Sequence, residues 1–477
     1  MAVDLAIRGG QVVTPSGVVA ADIGIVQGRI AMIGPCADAR QVIDATGRMV
    51  MPGGIDPHAH VEQMSGMGLM NADTFETATA AAALGGTTTV ISFAAQARGE
   101  RLRDTIAAYA ARAARGARID HAFHLTLTDL SVPGFAGDLS TLIAAGHRSL
   151  KLFTTYAIGL TDRQIADVMG QVAGQGALVC VHAENDGLLG WTKDALLSAG
   201  LDRPLHHAVA HPRLAELDAV ERMCRYAEFF GQPVMIFHVT TAEAADAVRR
   251  ARARGVPVTA ETCPHYLFQT ADILDRPGIE GARWVCSPPQ RGLADQAALW
   301  AALAEGVIDL ISSDHAPYRF DATGKLAAGP VPPFPAIANG MPGLQQRLPL
   351  MFDAMVSQGK GGPMAFARAT AGRAAEVYGL PGKGAIEVGR DADLVLWDPA
   401  RRVTYAADDM ADGAGYNPWE GVTVTGWPET VLLRGEVIVD HGVLKAVAGA
   451  GRWLGRGPVP GAAPAAELAY LNERRLG

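Results

Sequence analysis

The stretch Leu178-Val-Cys-Val-His182 is a short apolar run that ends in a residue able to bind a metal ion. Stretches with helical spacing flank it, whereas the run itself has the length of one strand. Seven further runs of four to eight residues, mostly apolar, lie between Ala-rich helical stretches in the same part of the chain. The eight runs begin at Ile55, Thr88, Phe123, Ser149, Leu178, Val234, Val258 and Leu310.

Eight alternating strand and helix units predict an α/β fold with a TIM-type (β/α)8 barrel. In such a barrel the functional side chains lie at the carboxyl ends of the strands, because these ends open onto one face. The residue that closes each apolar run is therefore a candidate for chemistry.

The two ends of the chain have a different pattern, with short Val- and Ile-rich runs separated by glycine turns. This pattern is typical of strands and hairpins. We expect residues 1–53 and 383–447 to build one smaller β-sandwich domain, and residues 54–382 to form the barrel. The tail, residues 448–477, is rich in Pro, Ala and Gly, and we expect it to be loose or to contact a neighbouring subunit.

Composition limits the classes of function. The 477 residues are 49% apolar and 19% charged, which fits a soluble enzyme with a large core. The net charge, 41 − 49 = −8, gives no general attraction for nucleic acid. No apolar run approaches the roughly 20 residues that cross a bilayer. The amino terminus lacks the pattern of a signal peptide, so we expect a cytoplasmic protein with no membrane contact.

Ligand-type side chains recur where the apolar runs end. His58 and His60 close the first run, His182 the fifth, His238 the sixth and Asp314 the eighth. A single buried histidine is more often a satisfied core residue than a ligand. Five such residues at the ends of four barrel strands would converge on one mouth, which favours a metal site.

Lys151 is the least expected residue, because it lies within the apolar run Ser149-Leu-Lys-Leu-Phe153 of a chain that has only six lysines. A buried ammonium group without a partner is very costly, so the residue must be paired, neutral or modified. Carboxylation of its amine by carbon dioxide would make it an anionic ligand for two metal ions. A salt bridge or a Schiff-base nucleophile is the alternative.

Taken in order, these residues resemble the amidohydrolase superfamily. The closer resemblance is to its dihydropyrimidinase and hydantoinase branch, and it covers nearly the whole chain. The motifs that carry it are Pro52-Gly-Gly-Ile-Asp-Pro-His58, Gly85-Gly-Thr-Thr-Thr89, His182-Ala-Glu-Asn185, Glu261-Thr-Cys-Pro-His-Tyr266, Cys286-Ser-Pro-Pro289, Ser313-Asp-His315, Asn339-Gly-Met-Pro-Gly343, Gly389-Arg-Asp-Ala-Asp-Leu-Val395 and Asn417-Pro-Trp-Glu-Gly421.

The resemblance implies a centre with two divalent metal ions, zinc first and manganese as the alternative. His58, His60 and Asp314 would bind the more buried ion, and His182 and His238 the more exposed one. Lys151, as N6-carboxylysine formed with carbon dioxide, would bridge them. The same resemblance implies that Tyr156 supports the oxyanion, that Ser287 and Asn339 hold the substrate ring, and that the protein is a homotetramer.

The activity implied by the resemblance is hydrolytic ring opening. A hydroxide between two metal ions would attack a hydantoin or a 5,6-dihydropyrimidine and give an N-carbamoyl amino acid, with Asp314 carrying the proton to the leaving nitrogen. An imidase or an allantoinase-like hydrolase with the same centre is the alternative. A dihydropyrimidinase-like assembly protein without catalysis is a more distant one.

Two local features bear on the substrate. Val61-Glu-Gln63 has no arginine after the H-x-H pair, which disfavours a carboxylated ring of the dihydroorotase type, and Tyr156 disfavours an allantoinase. The segment Glu62–Met70 carries three methionines beside two glycines, and it could form an adaptable apolar lid. These methionines could equally pack against the next helix.

Overall fold

The computed structural model of the protein, which describes residues 2–36 and 38–475, contains two sheets. Five strands come first: β1 (Val3–Thr14), β2 (Gly17–Val26), β3 (Arg29–Ile33), β4 (Ala39–Asp44) and β5 (Met49–Pro52). Eight follow: β6 (Gly54–Ala59), β7 (Thr87–Ala95), β8 (Asp120–Thr126), β9 (Ser149–Phe153), β10 (Leu178–His182), β11 (Val234–Ile236), β12 (Val258–Thr262) and β13 (Leu310–Ile311). The last four are β14 (Leu394–Thr404), β15 (Thr423–Leu433), β16 (Glu436–Asp440) and β17 (Val443–Leu444).

Strands β6 to β13 form the barrel. They pair in chain order, and the pairs are parallel. A parallel bridge between Ala59 and His315 brings the end of β6 beside the segment that follows β13, so the sheet is nearly closed. Every residue of β8, β9 and β10 is buried, as expected for strands covered on both sides. The predicted (β/α)8 barrel is confirmed.

Helices cover the outside of the barrel. Those of the first half are α1 (Phe75–Leu84), α2 (Leu102–Gly116), α3 (Phe135–Ala144), α4 (Asp162–Val172), α5 (Asp186–Ser198), α6 (His206–Ala210) and α7 (Arg213–Phe230). The others are α8 (Ala242–Ala253), α9 (Pro264–Phe268), α10 (Leu293–Ala304), α11 (Arg347–Phe352), α12 (Gly362–Ala367), α13 (Arg373–Val377) and α14 (Ala466–Arg475). Threonine caps fix the starts of α1, α4 and α8. None of the described helices is long and apolar enough to span a membrane.

The second sheet joins strands from both ends of the chain. Its order is β17-β16-β15-β14-β5-β1-β2-β3, and β4 pairs with β1 beside this path. Strand β1 pairs with β4 through its first half and with β5 through its second. Its antiparallel pairing with β2 has a register shift between Ile7 and Gly10. Antiparallel pairing of Val50 with Leu396 links the two ends of the chain. As predicted, the ends build one smaller domain.

The tail packs against the barrel of its own chain. Leu454 donates a backbone hydrogen bond to His121 (2.8 Å), Gly457 to Gly379 (2.7 Å) and Ala462 to Gly231 (2.9 Å). Between these residues the tail is therefore not loose. The predictions for the tail and for the first segment also include residues 1, 37, 476 and 477, which lie outside the described residues.

Candidate metal centre and active site

The H-x-H pair faces Asp314 at the carboxyl end of the barrel. His58 lies within β6 and His60 directly after it, and residues two apart on an extended segment point to the same side. The Nε2 atoms of His58 and His60 lie 3.0 and 3.5 Å from Asp314 Oδ1. Strand β6 and the segment after β13 therefore bring the three side chains together, as the sequence predicts.

His182 and His238 form a second pair on neighbouring strands. His182 is the last residue of β10, and His238 follows β11. His182 Nδ1 lies 2.9 Å from His238 Nε2. Two imidazole nitrogens on one tetrahedral zinc ion lie about 3.3 Å apart, given Zn–N distances of about 2.0 Å. The spacing of this pair is thus close to that of two ligands of one ion.

The two pairs meet. Ligand atoms of His58, His238 and Asp314 all lie within 4.8 Å of one another. His58 Nε2 is buried and forms no hydrogen bond within the described residues, which suits an atom that binds a metal. The donor set of imidazoles and one carboxylate fits zinc or manganese by its chemistry.

Lys151 lies in the middle of β9 with 1% of its surface exposed. Its Nζ atom is 4.1 Å from the ring centroid of Phe237, 4.6 Å from that of Phe153 and 5.3 Å from that of Phe93. Within residues 2–36 and 38–475 it forms no ion pair with a carboxylate. Burial lowers the pKa of Lys151 to about 8, although Asp314 and Glu261 oppose this shift. The salt-bridge alternative has no support.

Three of the four histidines are held by a side-chain acceptor through the ring nitrogen that faces away from the centre. His58 Nδ1 contacts Glu261 Oε1, His60 Nδ1 lies 2.7 Å from Gln63 Oε1, and His182 Nε2 lies 2.8 Å from Glu184 Oε2. Such partners fix the orientation and the tautomer of a metal-binding imidazole. The other oxygen of Glu184 lies 2.8 Å from His211 Nδ1, so this carboxylate is itself held in place.

Protonation states at the centre suit metal binding. Burial lowers the pKa values of His60, His182 and His238, which keeps these imidazoles neutral. Burial opposes ionisation of Asp314, but the neighbouring histidines, His58 first, lower its pKa well below the usual range. His58 differs, because Asp314 and Glu261 raise its pKa against the effect of burial. Since a metal binds neutral imidazole, a metal ion at His58 would have to compete with a proton more than at the other three histidines.

Three residues of the site also have a strained backbone. Tyr156, His238 and Asp314 have φ values of +71°, +39° and +47°. A side chain other than glycine seldom adopts this left-handed conformation, which costs about 1–3 kcal/mol and is found mainly at functional sites. Three residues singled out by the sequence therefore share a costly geometry.

Tyr156 and Ser287 meet beside the His182 and His238 pair. The ring centroid of Tyr156 lies 5.3 Å from that of His182, and its hydroxyl is hydrogen-bonded to the side chain of Ser287. Enclosure of the hydroxyl and the charge of Glu184 raise the pKa of Tyr156 well above its usual range, although one side of the residue is exposed. The phenol therefore keeps its proton at neutral pH.

Asn339 lies on a segment next to that of Ser287. The backbone N–H of Gly340 donates to Val285 O at 3.0 Å, which joins the two segments. Both Ser287 and Asn339 are partly exposed, whereas Val285 is buried. The structure thus places Ser287 and Asn339 on adjacent segments.

Sequence reasoning missed the residues that support the histidines. Glu261 and Glu184 are both 0% exposed, and each holds a histidine of the centre. Glu261 is a charged residue inside the apolar run that starts at Val258, which is the signal that singled out Lys151. The same test would have found it. Gln63 carries no such signal, because it lies in a polar loop.

A chain of buried hydrogen bonds also holds the backbone of the H-x-H segment. Arg456 of the tail donates to Ser149 Oγ at 2.5 Å, and this oxygen lies 2.6 Å from His124 Nδ1. The carbonyl of Pro57, 2.7 Å from His124 Nε2, can only accept, and the pKa of His124 is well below its usual value, so the neutral ring donates through Nε2 and accepts from the Ser149 hydroxyl at Nδ1. The tail is thereby connected to the residue before His58.

Known proteins match nearly the whole chain. Residues 49–438 match the amidohydrolase family. A D-hydantoinase from Rhizobium radiobacter is 40% identical over 444 residues, or 92% of this chain and 96% of that protein. A D-phenylhydantoinase from Escherichia coli O81 (strain ED1a) is 34% identical over 462 residues, or 95% of this chain and 98% of that protein.

Structural comparison agrees. The crystal structure of a dihydropyrimidinase from Brevibacillus agri NCHU1002 has a TM-score of 0.91 and 36% identity, and the match covers 95% of this chain and 99% of that one. Its similarity extends over both domains. The chain therefore belongs to the amidohydrolase family, in its hydantoinase and dihydropyrimidinase branch.

Proposed function

We propose that this protein is a metal-dependent hydrolase that opens the ring of a 5-substituted hydantoin and releases an N-carbamoyl amino acid. The observation that carries the proposal is the convergence of five ligand-type side chains around a buried lysine that has no ionic partner within the described residues. Membership of the hydantoinase branch supports hydrolysis of a cyclic amide.

The proposed centre holds two divalent ions, zinc first and manganese as the alternative. His58, His60 and Asp314 would hold one ion, and His182 and His238 the other. When bound, the ions lower the pKa of a shared water, which supplies hydroxide near neutral pH. The neutral state of three of the histidines and the ionised state of Asp314 favour this assignment.

Lys151 would bridge the ions as N6-carboxylysine. Its neutral amine attacks the carbon of carbon dioxide and then loses one proton, which leaves a carbamate with two oxygen ligands. A pKa of about 8 supports this step, because about a tenth of the amine is neutral at pH 7, far more than for an ordinary lysine. The three surrounding aromatic rings offer no hydrogen-bond acceptor that would compete with the modification.

The side chains around the centre would then handle the proton and the ring. Asp314 accepts the proton of the attacking water and passes it to the ring nitrogen as the amide C–N bond breaks. The hydroxyl of Tyr156 donates to the carbonyl oxygen, where negative charge develops. Ser287 and Asn339 hold the ring, mostly through main-chain groups.

The segment Glu62–Met70 forms a hairpin next to the H-x-H pair, and its side chains favour a substrate with an apolar substituent. Met64, Met67 and Met70 are each about half exposed, at 52, 47 and 47%. They are therefore not mainly packed against the next helix. Asn71 donates its side-chain amide to His60 O at 2.5 Å, so the hairpin begins and ends beside the centre. Flexible methionine side chains adapt to varied apolar groups.

A substrate panel tests the function. Hydantoins with 5-alkyl and 5-aryl groups in both enantiomers, dihydrouracil, allantoin and succinimide are assayed with zinc or manganese, and the products are identified. We expect the highest kcat/KM for a 5-substituted hydantoin in its D form, as the names of the relatives suggest. Preference for succinimide or allantoin would support the imidase or allantoinase-like alternative. Fewer than one metal ion per chain and no activity would support the non-catalytic assembly protein.

We also propose that the protein is a homotetramer. Helix α5 supports an interface between subunits, because Leu189 is its only buried residue among those described, while Leu188, Trp191 and Leu197 are exposed. Trp191 is 74% exposed, which is unusual for so large an apolar side chain. Light scattering would show a tetramer, and Trp191→Asp would give smaller species. The domain bounds and the cytoplasmic location remain predictions.

A further inference from the structure

Lys325 is a fully buried lysine outside the metal centre, with 0% of its surface exposed. Its Nζ atom donates to Val285 O at 3.0 Å and to Ala338 O at 2.9 Å. It forms no ion pair among the residues that the structure describes. Burial lowers the pKa of Lys325 to about 7. A buried amine is costly, so its donors must serve a purpose that an apolar side chain could not.

The two acceptors lie directly behind the residues proposed to hold the substrate ring. Val285 is two residues before Ser287, and Ala338 is next to Asn339. Val285 and Ala338 are buried, whereas Ser287 and Asn339 are partly exposed. The carbonyl of Val285 also accepts from the N–H of Gly340 at 3.0 Å. One ammonium group thus joins the buried sides of both segments.

Lys325 lies in a turn whose own backbone is held by hydrogen bonds. Its backbone N–H donates to Arg319 O at 2.8 Å, and Gly324 N–H donates to Asp321 O at 3.1 Å. Thr323 donates its N–H to the Asp321 carboxylate at 2.8 Å. A Cβ atom on Gly324 would lie 2.2 Å from Arg319 O, so only glycine fits this turn. The turn holds the lysine at a constant distance from both segments.

We propose that Lys325 is a positioning residue that sets the separation of the Ser287 and Asn339 segments and thereby the affinity for the substrate ring. The inference rests on the proposed function, in which these two segments bind the ring. Lys325 does not touch the reacting atoms. Its loss should therefore weaken ring binding much more than it slows hydrolysis of the bound ring.

The test compares Lys325→Met, which keeps the length but removes the donors, with Lys325→Gln, which restores an amide donor. On the preferred hydantoin, we expect Lys325→Met to raise KM by about 10–100-fold, as for the loss of two buried hydrogen bonds, with kcat within about threefold. Lys325→Gln should recover part of the loss. Metal content should stay that of the wild type in both variants.

Lys383→Met is the matched control, because it removes another buried lysine far from these segments. It should lower the unfolding temperature and leave KM unchanged. An unchanged KM in Lys325→Met, or a rise in KM no larger than that of the control, would overturn the proposal. If Lys325→Met does not fold, Lys325→Leu, which also removes the donors, takes its place and is judged by the same criterion.

Hydrogen exchange separates this inference from the proposed function. In Lys325→Met the amide of Gly340 should exchange at least about tenfold faster than in the wild type, because its acceptor segment is no longer held. This measurement needs no substrate. Unchanged exchange would overturn the positioning role even if hydantoins are hydrolysed. Faster exchange in a protein that acts on none of the rings would refute the proposed function and leave the structural link intact.

Discussion

Lys151 and Lys383 are both buried, but they lie at opposite ends of the same barrel and have opposite surroundings. Lys383 Nζ lies 2.7 Å from Asp120 and Asp393 carboxylate oxygens and 3.1 Å from that of Asp391. Lys151 Nζ lies among three aromatic rings. Burial opposes protonation of both amines. The aspartates nevertheless raise the pKa of Lys383, whereas the pKa of Lys151 falls to about 8.

The difference shows how a barrel separates stability from chemistry. At the amino ends of the strands, the charge of the buried lysine is fully matched, and Lys383 joins the smaller domain to the barrel through Asp120 of β8. At the carboxyl ends, a lysine with no ion pair among the described residues lies close to the histidines and to Asp314. Unmatched groups of this kind persist where a ligand or a modification completes them.

Cavity volume alone would assign the active site to the amino ends of the barrel strands, which is the wrong end. A cleft of about 920 Å³ includes Leu178 and Val258 among its walls, which are the first residues of β10 and β12. The cleft therefore opens at the amino ends, away from His182 at the other end of β10. The chemistry of the side chains, and not the volume, distinguishes the two ends.

The largest expected effect is the loss of activity when Lys151 is replaced. Lys151→Ala should lose the more exposed metal ion and reduce kcat/KM by about 10³-fold or more, since a metal ion contributes several kcal/mol to the transition state. Lys151→Arg should do no better, because arginine cannot form the carbamate. Metal analysis and kinetics measure both effects. A short carboxylic acid should restore part of the activity of Lys151→Ala, and substantial activity without it would contradict the bridging role.

Removal of the buried lysine at the amino ends of the barrel strands should affect stability instead of catalysis. Lys383→Met leaves three aspartates close together without their cation, although Arg434 still contacts Asp120. We expect the free energy of unfolding to fall by about 3–5 kcal/mol, as when one partner of a buried ion pair is removed. Denaturant titration measures this. A folded Lys383→Met with a greatly reduced kcat/KM would break the separation between the two ends.

A smaller effect is expected for a residue that acts through a ligand. Glu184→Gln removes the charge that holds His182 but keeps the size of the side chain. Affinity for the more exposed metal ion should fall by about 10–100-fold, as for other carboxylates behind metal-binding histidines. Competition with a chelator measures the affinity, and the unfolding temperature serves as the control. Equal affinity in wild type and variant would show that Glu184 acts only on the fold.

The last prediction concerns the stability of the protein at low pH and the buried His147, which precedes strand β9. Burial and the charge of Arg456 lower the pKa of His147 to about 4. Between pH 6.5 and 4 the unfolded chain therefore binds more protons at this site, and stability is lost as the pH falls through this window. His147→Phe should remove that loss, which reaches up to about 3 kcal/mol at pH 4 and is small above pH 6. Unfolding free energies of both proteins across this range measure it, and parallel curves would contradict the assignment.

Much of the site could be predicted because it follows from local pattern. Apolar runs of strand length end at His182, near His238 and near Asp314, and parallel strands in a barrel bring their ends to one face. The partners of these residues could not be found in this way. Glu184 and His211 are 27 positions apart in the sequence, and no periodicity relates them. Lys325 lies in an irregular loop, where its burial could not be foreseen.

The sequence by itself determined the barrel, the domain formed by both chain ends, the family and the candidate ligands, because hydrophobic period and strand-end position are local properties of the chain. The tertiary structure decided which buried charges are matched. It showed that, among the described residues, Lys383 has three aspartates within ion-pair distance and Lys151 has none. It also showed that the tail packs on its own barrel and that Lys325 joins two loops. Pairing of buried charges depends on distances between segments far apart in the chain, and only the folded packing sets those distances.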